Sequence, residues 1–219
     1  MAFAHLPAQE LPEIKQINID GKRHYETPHG TFISITTLLS SLTPTEILDW
    51  RESVGDDVAN YVMRVAATRG SKLHNIVESY LSNEPQNDLV GEHGVLAAGL
   101  FNLMRPALDK IDKIRALEQT LYSKNLSVAG RTDCIADFDG NLSTIDFKTT
   151  SKIRDETNEN YLLQATFYAT AWEEQTGERI KQIVIITGAE NGQLDVKTDD
   201  PSKYIDKLKK IIEEHTGPN

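Results

Sequence analysis

Cysteine and long apolar runs are both scarce in this sequence. Cys134 is the only cysteine among 219 residues, which excludes an internal disulfide and a cysteine-ligated zinc or iron–sulfur site. Apolar runs such as residues 183–186 are far shorter than the roughly 20 residues that span a bilayer. Residues 1–12 lack a basic segment followed by an apolar one, so no signal peptide is expected. These absences predict a cytoplasmic protein without a membrane partner.

Positive charge is scarce as well. The chain has 23 Lys and Arg against 33 Asp and Glu, a formal net charge of −10. Proteins that coat nucleic acid usually carry a basic face, because phosphate contacts supply most of their affinity. The balance therefore argues against a DNA-coating protein. It leaves room for an enzyme that holds DNA in a local groove, since a magnesium site requires acidic groups.

Three parts are predicted within one domain over residues 1–219, a length that suits a single core. Residues 1–32 contain an irregular segment and a hairpin that turns at Asp20-Gly21. Residues 33–109 are mainly helical, with Ser34 as the first N-cap candidate. Residues 110–219 are expected to form the main sheet and its flanking helices, among them a helix over residues 160–175 with one apolar stripe, which Gly177 stops. The expected fold is α/β, a mixed central sheet flanked by helices with a helical N-terminal extension.

The dipeptide Asp139-Gly140 is a strong signal for a two-residue hairpin turn. This turn would place Asp133 opposite Asp146 and Arg131 opposite Lys148, with all four side chains on one face. Opposed Cβ atoms lie about 4.5–5.5 Å apart, where like charges destabilise a sheet. A divalent cation, Mg²⁺ or Mn²⁺, between the two carboxylates would relieve that repulsion. We expect this face to be solvated and the opposite face to pack against a helix.

Each pattern also has an ordinary structural explanation. An Asp-x-Lys pair is most often a surface ion pair. Gly70 and His74 share one helix face, as do Gln164 and Tyr168, yet a lone histidine is more often a hydrogen-bonded structural residue. Glu118 would face Arg131 if residues 124 and 125 form a two-residue turn, and a salt bridge is its expected role.

Four motifs occur in a fixed order along the chain: G-x-x-x-H at residues 70–74, G-x-x-D at 130–133, D-x-K at 146–148 and Q-x-x-x-Y at 164–168. Together they resemble the PD-(D/E)XK nuclease superfamily and its RecB-type branch. Within that branch, the chain is most similar to the mitochondrial genome maintenance exonuclease group and its phage and bacterial relatives. The likeness extends from about residue 33 to residue 172 and implies a restriction-endonuclease-like fold.

The resemblance implies a metal-dependent DNA exonuclease that prefers single strands with a free end and acts in replication, repair, recombination or degradation. It implies metal binding by Asp133, Asp146, His74 and the carbonyl of Phe147, and catalysis by Lys148 together with both aspartates and His74. The residues expected at the substrate are Gln164, Tyr168, Arg131, Thr149, Ser34 and Arg69.

Two departures from the family pattern are informative. The iron–sulfur nucleases of this branch use four cysteines, so the single cysteine here excludes a cluster. Mitochondrial members carry targeting peptides, and their absence here favours a bacterial or phage origin, with a monomer in the bacterial or infected-host cytoplasm. Replication or recombination proteins are candidate partners. Two alternatives stay open: a duplex-end or structure-specific nuclease, and a noncatalytic DNA-binding accessory module of replication.

Overall fold

The computed structural model describes residues 2–42, 45–154 and 157–216. Its strands are β1 (Lys15–Ile19), β2 (Lys22–Thr27), β3 (Gly30–Ser34), β4 (Ile111–Ser123), β5 (Val128–Phe138), β6 (Asn141–Thr150), β7 (Gln182–Ala189) and β8 (Leu194–Asp199). Its helices are α1 (Ile35–Ser40), α2 (Thr45–Val54), α3 (Asp56–Leu81), α4 (Leu89–His93), α5 (Val95–Leu108), α6 (Glu159–Thr176) and α7 (Ile205–Thr216). None of the helices in these ranges is both long and apolar enough to cross a membrane.

The strands form one mixed sheet, in the order β1-β2-β3-β5-β6-β7-β8, with β4 paired to β5 outside that path. The β3–β5 and β6–β7 pairs are parallel and the others are antiparallel. Both Asp-Gly turns form as expected: Asp20 and Asp139 have φ of 50° and 49°, and the following glycines also have positive φ. The predicted mixed sheet is therefore confirmed. Strand β3 was not predicted, and through it the N-terminal hairpin continues the central sheet.

Strand β5 has three neighbours, which is the feature that creates the site. Strand β4 runs along one edge of β5. The other edge pairs with β6 only as far as Cys134 and Ile145, and with β3 only at Val128 and Ala129. Residues 130–133 of β5 thus face a gap between β3 and β6, which we call the fork.

Helices cover both faces of the sheet. One buried cluster joins α1, α6 and α7 to Ile135, Ile183 and Ile185. A second joins α3 and α5 to Cys134 and Phe147. The predicted helix-covered face is the second of these. The expected solvated face is wrong, because α6 lies on the face that carries Asp146 and Lys148, so the site opens at the fork rather than across a bare sheet.

The predicted helical region divides into an exposed and a buried half. The second half of α3 buries Leu73, Ile76 and Val77, which fixes the position of His74 between them. Helix α2 and the first half of α3 carry exposed apolar side chains, among them Leu48 and Tyr61. The half of α3 that carries His74 is therefore anchored in the core, whereas its N-terminal half is largely exposed.

Candidate active site at the fork

The two predicted carboxylates lie on adjacent strands at the fork. Asp133 is 9 % exposed and Asp146 is 1 % exposed. The predicted register is confirmed from Phe138↔Asn141 to Cys134↔Ile145, and the two aspartates follow directly after that last pair. There the strands diverge, and the Oδ2 atom of Asp133 accepts a hydrogen bond of 2.9 Å from the backbone N–H of Phe147. This bond links β5 to β6 where the regular ladder has ended.

The expected pairing of Arg131 with Lys148 is wrong. The β5–β6 ladder ends at Cys134 and Ile145, so Arg131 is paired only across the other edge of β5, with Thr120 of β4. Lys148 points toward α6, and its Nζ lies 2.6 Å from Oδ2 of Asp146. The D-x-K motif therefore forms an ion pair within β6, with no contribution from Arg131.

The buried carboxylate of Asp146 is not fully satisfied by the protein. Its Oδ2 forms the ion pair with Lys148, and neither Oδ1 nor Oδ2 has a hydrogen-bond partner among the described residues. A buried carboxylate oxygen without a partner destabilises the folded state, and hard carboxylate oxygens are the ligands that Mg²⁺ and Mn²⁺ prefer. The donor set at the fork therefore fits a divalent cation.

His74 reaches the fork from α3, on the other side of the sheet. Its Nε2 lies 2.9 Å from the carbonyl oxygen of Phe147, and its Nδ1 lies 3.6 Å from Oδ1 of Asp133. Burial lowers the pKa of His74, but Asp133, Glu118 and Asp146 together outweigh burial and raise it to about 9. At this pKa both ring nitrogens carry a proton at neutral pH, and Nε2 donates to the carbonyl of Phe147.

Burial and neighbouring charges also shift the pKa values of Asp133 and Lys148. Burial and the neighbouring Asp146 raise the pKa of Asp133 to about 7, against the opposing effects of His74, Lys148 and the Phe147 N–H. Burial would lower the pKa of Lys148, but Asp146 and Asp133 outweigh it and raise that pKa. Lys148 is therefore an ammonium, suited to stabilising negative charge rather than to accepting a proton.

Glu118 is a member of this cluster that sequence reasoning placed incorrectly. The β4–β5 connection has four residues, since Ser123 pairs with Val128, so the predicted Glu118–Arg131 register is wrong and Glu118 comes opposite Asp133 instead. The predicted salt bridge is nevertheless present, with 2.7 Å between Oε2 of Glu118 and Nε of Arg131. One ligand atom each from His74, Glu118 and Asp133 lies within 4.8 Å of the others, a set that could hold a metal ion. Only a correct loop length would have revealed this in advance.

The Q-x-x-x-Y motif supports the lysine from α6. Nζ of Lys148 donates to Oε1 of Gln164 at 3.3 Å, and Nε2 of Gln164 donates to the hydroxyl of Tyr168 at 3.2 Å. Tyr168 is 1 % exposed, so the structure does not present it to a substrate and it orients Gln164 instead. A Cβ at Gly130 would lie 2.9 Å from Cε1 of Tyr168, which explains why the G-x-x-D motif begins with glycine.

The other predicted substrate residues are dispersed around the fork. Ser34 is buried and its Oγ lies 2.8 Å from Oγ1 of Thr36, so its side chain faces protein rather than an open surface. Arg69 donates to Oγ1 of Thr149 at 3.0 Å and pairs with Glu190, which leaves its side chain 10 % exposed. Arg131 is the most open of the set, at 52 % exposed. Gln164, Thr149 and Arg131 border the fork, whereas Ser34 and Tyr168 do not reach solvent.

Comparison with known proteins agrees with this geometry. The family model of the PD-(D/E)XK nuclease superfamily matches residues 55–216. Mitochondrial genome maintenance exonuclease 1 of Mus musculus is 31 % identical over 128 residues, which are 54 % of this chain and 37 % of the mouse protein. The Homo sapiens protein of the same name is 33 % identical over 85 residues, 38 % of this chain and 24 % of that protein. The chain thus matches well under half the length of either relative.

A solved structure shares the fold. The crystal structure of a candidate exonuclease from Eubacterium rectale superimposes with a TM-score of 0.51 at 11 % identity, covering 69 % of this chain and 64 % of that one. Its likeness extends to the fold alone, a mixed sheet between helical layers. Because the family model covers well over half of the sequence, and the motif residues meet at the fork, this chain belongs to the PD-(D/E)XK nuclease superfamily.

Proposed function

We propose that this chain is a divalent-cation-dependent deoxyribonuclease that hydrolyses phosphodiester bonds as an exonuclease on single-stranded DNA. The observation that carries the proposal is the state of Asp146: one oxygen pairs with Lys148, and the other is buried with no partner among the described residues. Because the carboxylate of Asp133 lies beside it, Asp146 makes the folded state less stable than an uncharged side chain would. A bound cation would balance the two carboxylate charges and would hold a phosphate next to them.

The cation would be held by Asp133, Asp146, the carbonyl of Phe147 and His74. Glu118 would be a further donor, because one of its ligand atoms lies within 4.8 Å of ligand atoms of His74 and Asp133. A bound Mg²⁺ or Mn²⁺ supplies a Lewis acid for a phosphate oxygen and lowers the pKa of bound water. For His74 to serve as a ligand it must give up a proton, because the neighbouring acids raise its pKa to about 9 and keep the ring protonated at neutral pH. Cation binding should therefore release protons.

Lys148 is the residue that acts on the phosphate from the protein side. Its ammonium lies between Asp146 of β6 and Gln164 of α6, so its position is fixed by both elements before any substrate arrives. A fixed positive charge in a water-poor site stabilises the negative charge that develops in phosphoryl transfer. Gln164 and Tyr168 serve this role indirectly, by holding the amine in place.

The burial of the site supports a single strand as substrate. Both carboxylates are less than 10 % exposed and lie between two helical layers, so a phosphate must enter the fork to reach them. One flexible strand can enter such an opening, whereas a duplex brings its partner strand along. The word exonuclease in the names of the two mammalian relatives supports a requirement for a free end. We propose one catalytic unit acting as a monomer, with replication or recombination proteins as partners.

The test is a digest of linear and covalently closed circular single strands of one sequence, each with Mg²⁺, with Mn²⁺ and with a chelator. We expect linear DNA to be degraded with either metal, the circle to persist, and the chelator to stop the reaction. The Lys148→Ala variant, purified in parallel, controls for contaminating nucleases. Cleavage of the circle would indicate a structure-specific endonuclease, and cleavage of duplex ends alone a duplex-end enzyme. Binding without cleavage under all conditions would indicate an accessory module.

A further inference from the structure

A cavity of about 210 Å³ opens beside the fork, at the carboxyl ends of β6 and β7. Its wall includes Tyr161 at the start of α6, Ile47 of α2, and Lys152 and Arg154 from the segment after β6. The motifs discussed above include none of these residues. The cavity is therefore a feature of the structure that the family pattern does not account for.

The cavity shares a wall with the active site. Nζ of Lys148 lies 4.9 Å from the centroid of the Tyr161 ring, and the same ring lines the cavity. Thr150, another lining residue, follows Lys148 by two positions on β6, a distance of about 7 Å along a strand. A DNA strand with one phosphate at Lys148 therefore has its next nucleotide within reach of the cavity.

The charge at the rim of the cavity favours phosphate. Lys152 and Arg154 are exposed, and within residues 2–42, 45–154 and 157–216 neither is ion-paired. By contrast, Lys148, Arg131 and Arg69 each pair with an acid. Asp195 is the acid among the described lining residues, and the sequence continues after Arg154 with Asp155 and Glu156. On a protein of net charge −10, such unpaired cations make a local attraction for an anionic ligand.

The size and the walls of the cavity favour one nucleotide. Pockets for drug-sized ligands usually measure roughly 300–1,000 Å³, so a volume of 210 Å³ suits a single residue of a longer strand. The Tyr161 ring and the side chains of Ile47 and Ile153 provide an apolar wall. Aromatic side chains bind nucleotides by stacking with any base, without sequence preference.

We infer that this cavity is a nucleotide subsite, which holds the nucleotide next to the scissile phosphate. Lys152 and Arg154 contact the phosphate of that nucleotide, and Tyr161 with Ile47 contacts its base or sugar. The inference rests on the proposed nuclease function and adds to it the part of the site that positions the strand. Because the reacting phosphate lies elsewhere, the subsite governs KM and the alignment of the strand rather than the chemical step.

The test is equilibrium binding of hexanucleotides that carry one neutral methylphosphonate, moved through successive linkages, measured without divalent metal. In the wild-type protein, neutralising the linkage in the subsite should weaken binding about tenfold. In the Lys152→Gln/Arg154→Gln variant, neutralising that linkage should leave the affinity unchanged. The affinity of this variant should also depend less on salt. The slope of log affinity against log salt concentration should be smaller by about 0.7 for each phosphate that the variant no longer neutralises. In cleavage assays its KM should rise about tenfold with kcat within twofold.

The matched control is Lys124→Gln/Lys209→Gln, which removes the same charge from exposed positions away from the cavity. In this control variant, neutralising the linkage in the subsite should still weaken DNA binding as it does in the wild-type protein. The inference is overturned if the Lys152→Gln/Arg154→Gln variant retains that weakening, if the control abolishes it equally, or if wild-type binding depends on no single linkage. Linkage-specific binding without cleavage would overturn the proposed nuclease function and leave the subsite standing. Cleavage by a protein whose binding depends on no single linkage would overturn the subsite and leave the proposed nuclease function standing.

Discussion

Asp133 and Asp137 lie four residues apart on β5 and are buried to a similar degree, 9 % and 7 % exposed, yet their surroundings are opposite. Each oxygen of Asp137 has its own cation: Oδ1 lies 2.8 Å from Arg115, and Oδ2 lies 3.3 Å from Lys113. Asp133 receives one backbone N–H and otherwise faces His74, with Asp146 as a second acid close by. The negative charge of Asp137 is therefore balanced by two cations, whereas Asp133 has a second acid beside it.

The difference shows how burial alone fails to identify a functional carboxylate. A buried acid with a full set of cationic partners contributes to structure. A buried acid beside another acid has its pKa raised, here to about 7 for Asp133, and the folded state is less stable for it. An arrangement that costs stability persists where function requires it.

The largest effect is expected from removing the lysine at the fork. Lys148→Ala should lower the cleavage rate of a single-stranded oligonucleotide about a thousandfold, the scale seen when one stabilising donor of a transition state is lost. Lys113→Ala, which removes a cation from Asp137 instead, should leave the rate within twofold. Rates are measured with end-labelled substrate and Mn²⁺, and circular dichroism checks the fold. An active Lys148→Ala variant would remove the lysine from the mechanism.

The two aspartates should respond in opposite ways to the same substitution. Asp137→Asn should lower the free energy of unfolding by about 2 kcal/mol, because the buried Arg115 keeps only Glu178 as a charged partner, and should keep activity. Asp133→Asn should abolish activity without loss of stability. The folded pKa of Asp133 is raised to about 7, so the stability lost through its ionisation grows as pH rises from about 4 to about 7 and is complete above that. Urea unfolding at pH 8, without metal, measures both variants. Equal destabilisation would contradict the contrast.

The pKa of His74 should directly report the effect of the neighbouring carboxylates. In metal-free protein its ring should titrate near pH 9 rather than near 6.5, measured by ¹⁵N NMR. Because the folded pKa is raised, the stability that protonated His74 contributes is complete below about pH 6.5 and is lost as pH rises through about 9. Asp133→Asn should move the titration to lower pH, since it removes the largest favourable charge. A wild-type ring that titrates at 6.5 would show that the acids do not act on it.

The smallest effect is expected from substitutions that change side-chain packing, and the first of them lies where β5 borders the fork. Gly130→Ala would bring a methyl group to 2.8 Å from Ile35 Cγ2 and 2.9 Å from Tyr168 Cε1. This overlap should destabilise the fold by about 1–3 kcal/mol and move Tyr168 away from Gln164. Gly99→Ala in α5 meets nothing within 4 Å and should stabilise by up to about 1 kcal/mol. Thermal unfolding of both variants, with Tyr168→Phe for comparison, measures the difference. A neutral Gly130→Ala would show that Tyr168 has room to move.

The sequence predicted those parts of the site that local signals specify. The Asp139-Gly140 turn requires positive φ at both residues, so it fixed the register of β5 and β6 as far as Cys134 and Ile145. The four family motifs identified the residues that approach Lys148. Helix α6 was also expected within one residue at each end, because Gly177 stops it.

The fork itself could not be predicted, because no local signal encodes it. It depends on β3 joining β5 at Val128 and Ala129, and β3 was not recognised in the sequence. The four-residue β4–β5 loop shifted Glu118 by two positions and brought it opposite Asp133. Helix α6 is buried on most of its surface, whereas one apolar stripe was expected, so its cover over the catalytic face was missed.

The junction of β3 with β5 has a consequence for how the protein folds. It joins Ile33 to Val128, roughly 95 positions apart, so a long loop must close before the gap beside Asp133 has both of its sides. The two Asp-Gly hairpins and the helices depend on neighbours in the chain and can form early, whereas contacts of this span are slow. Refolding from denaturant should therefore restore helical circular dichroism first and catalytic turnover only with the slowest kinetic phase.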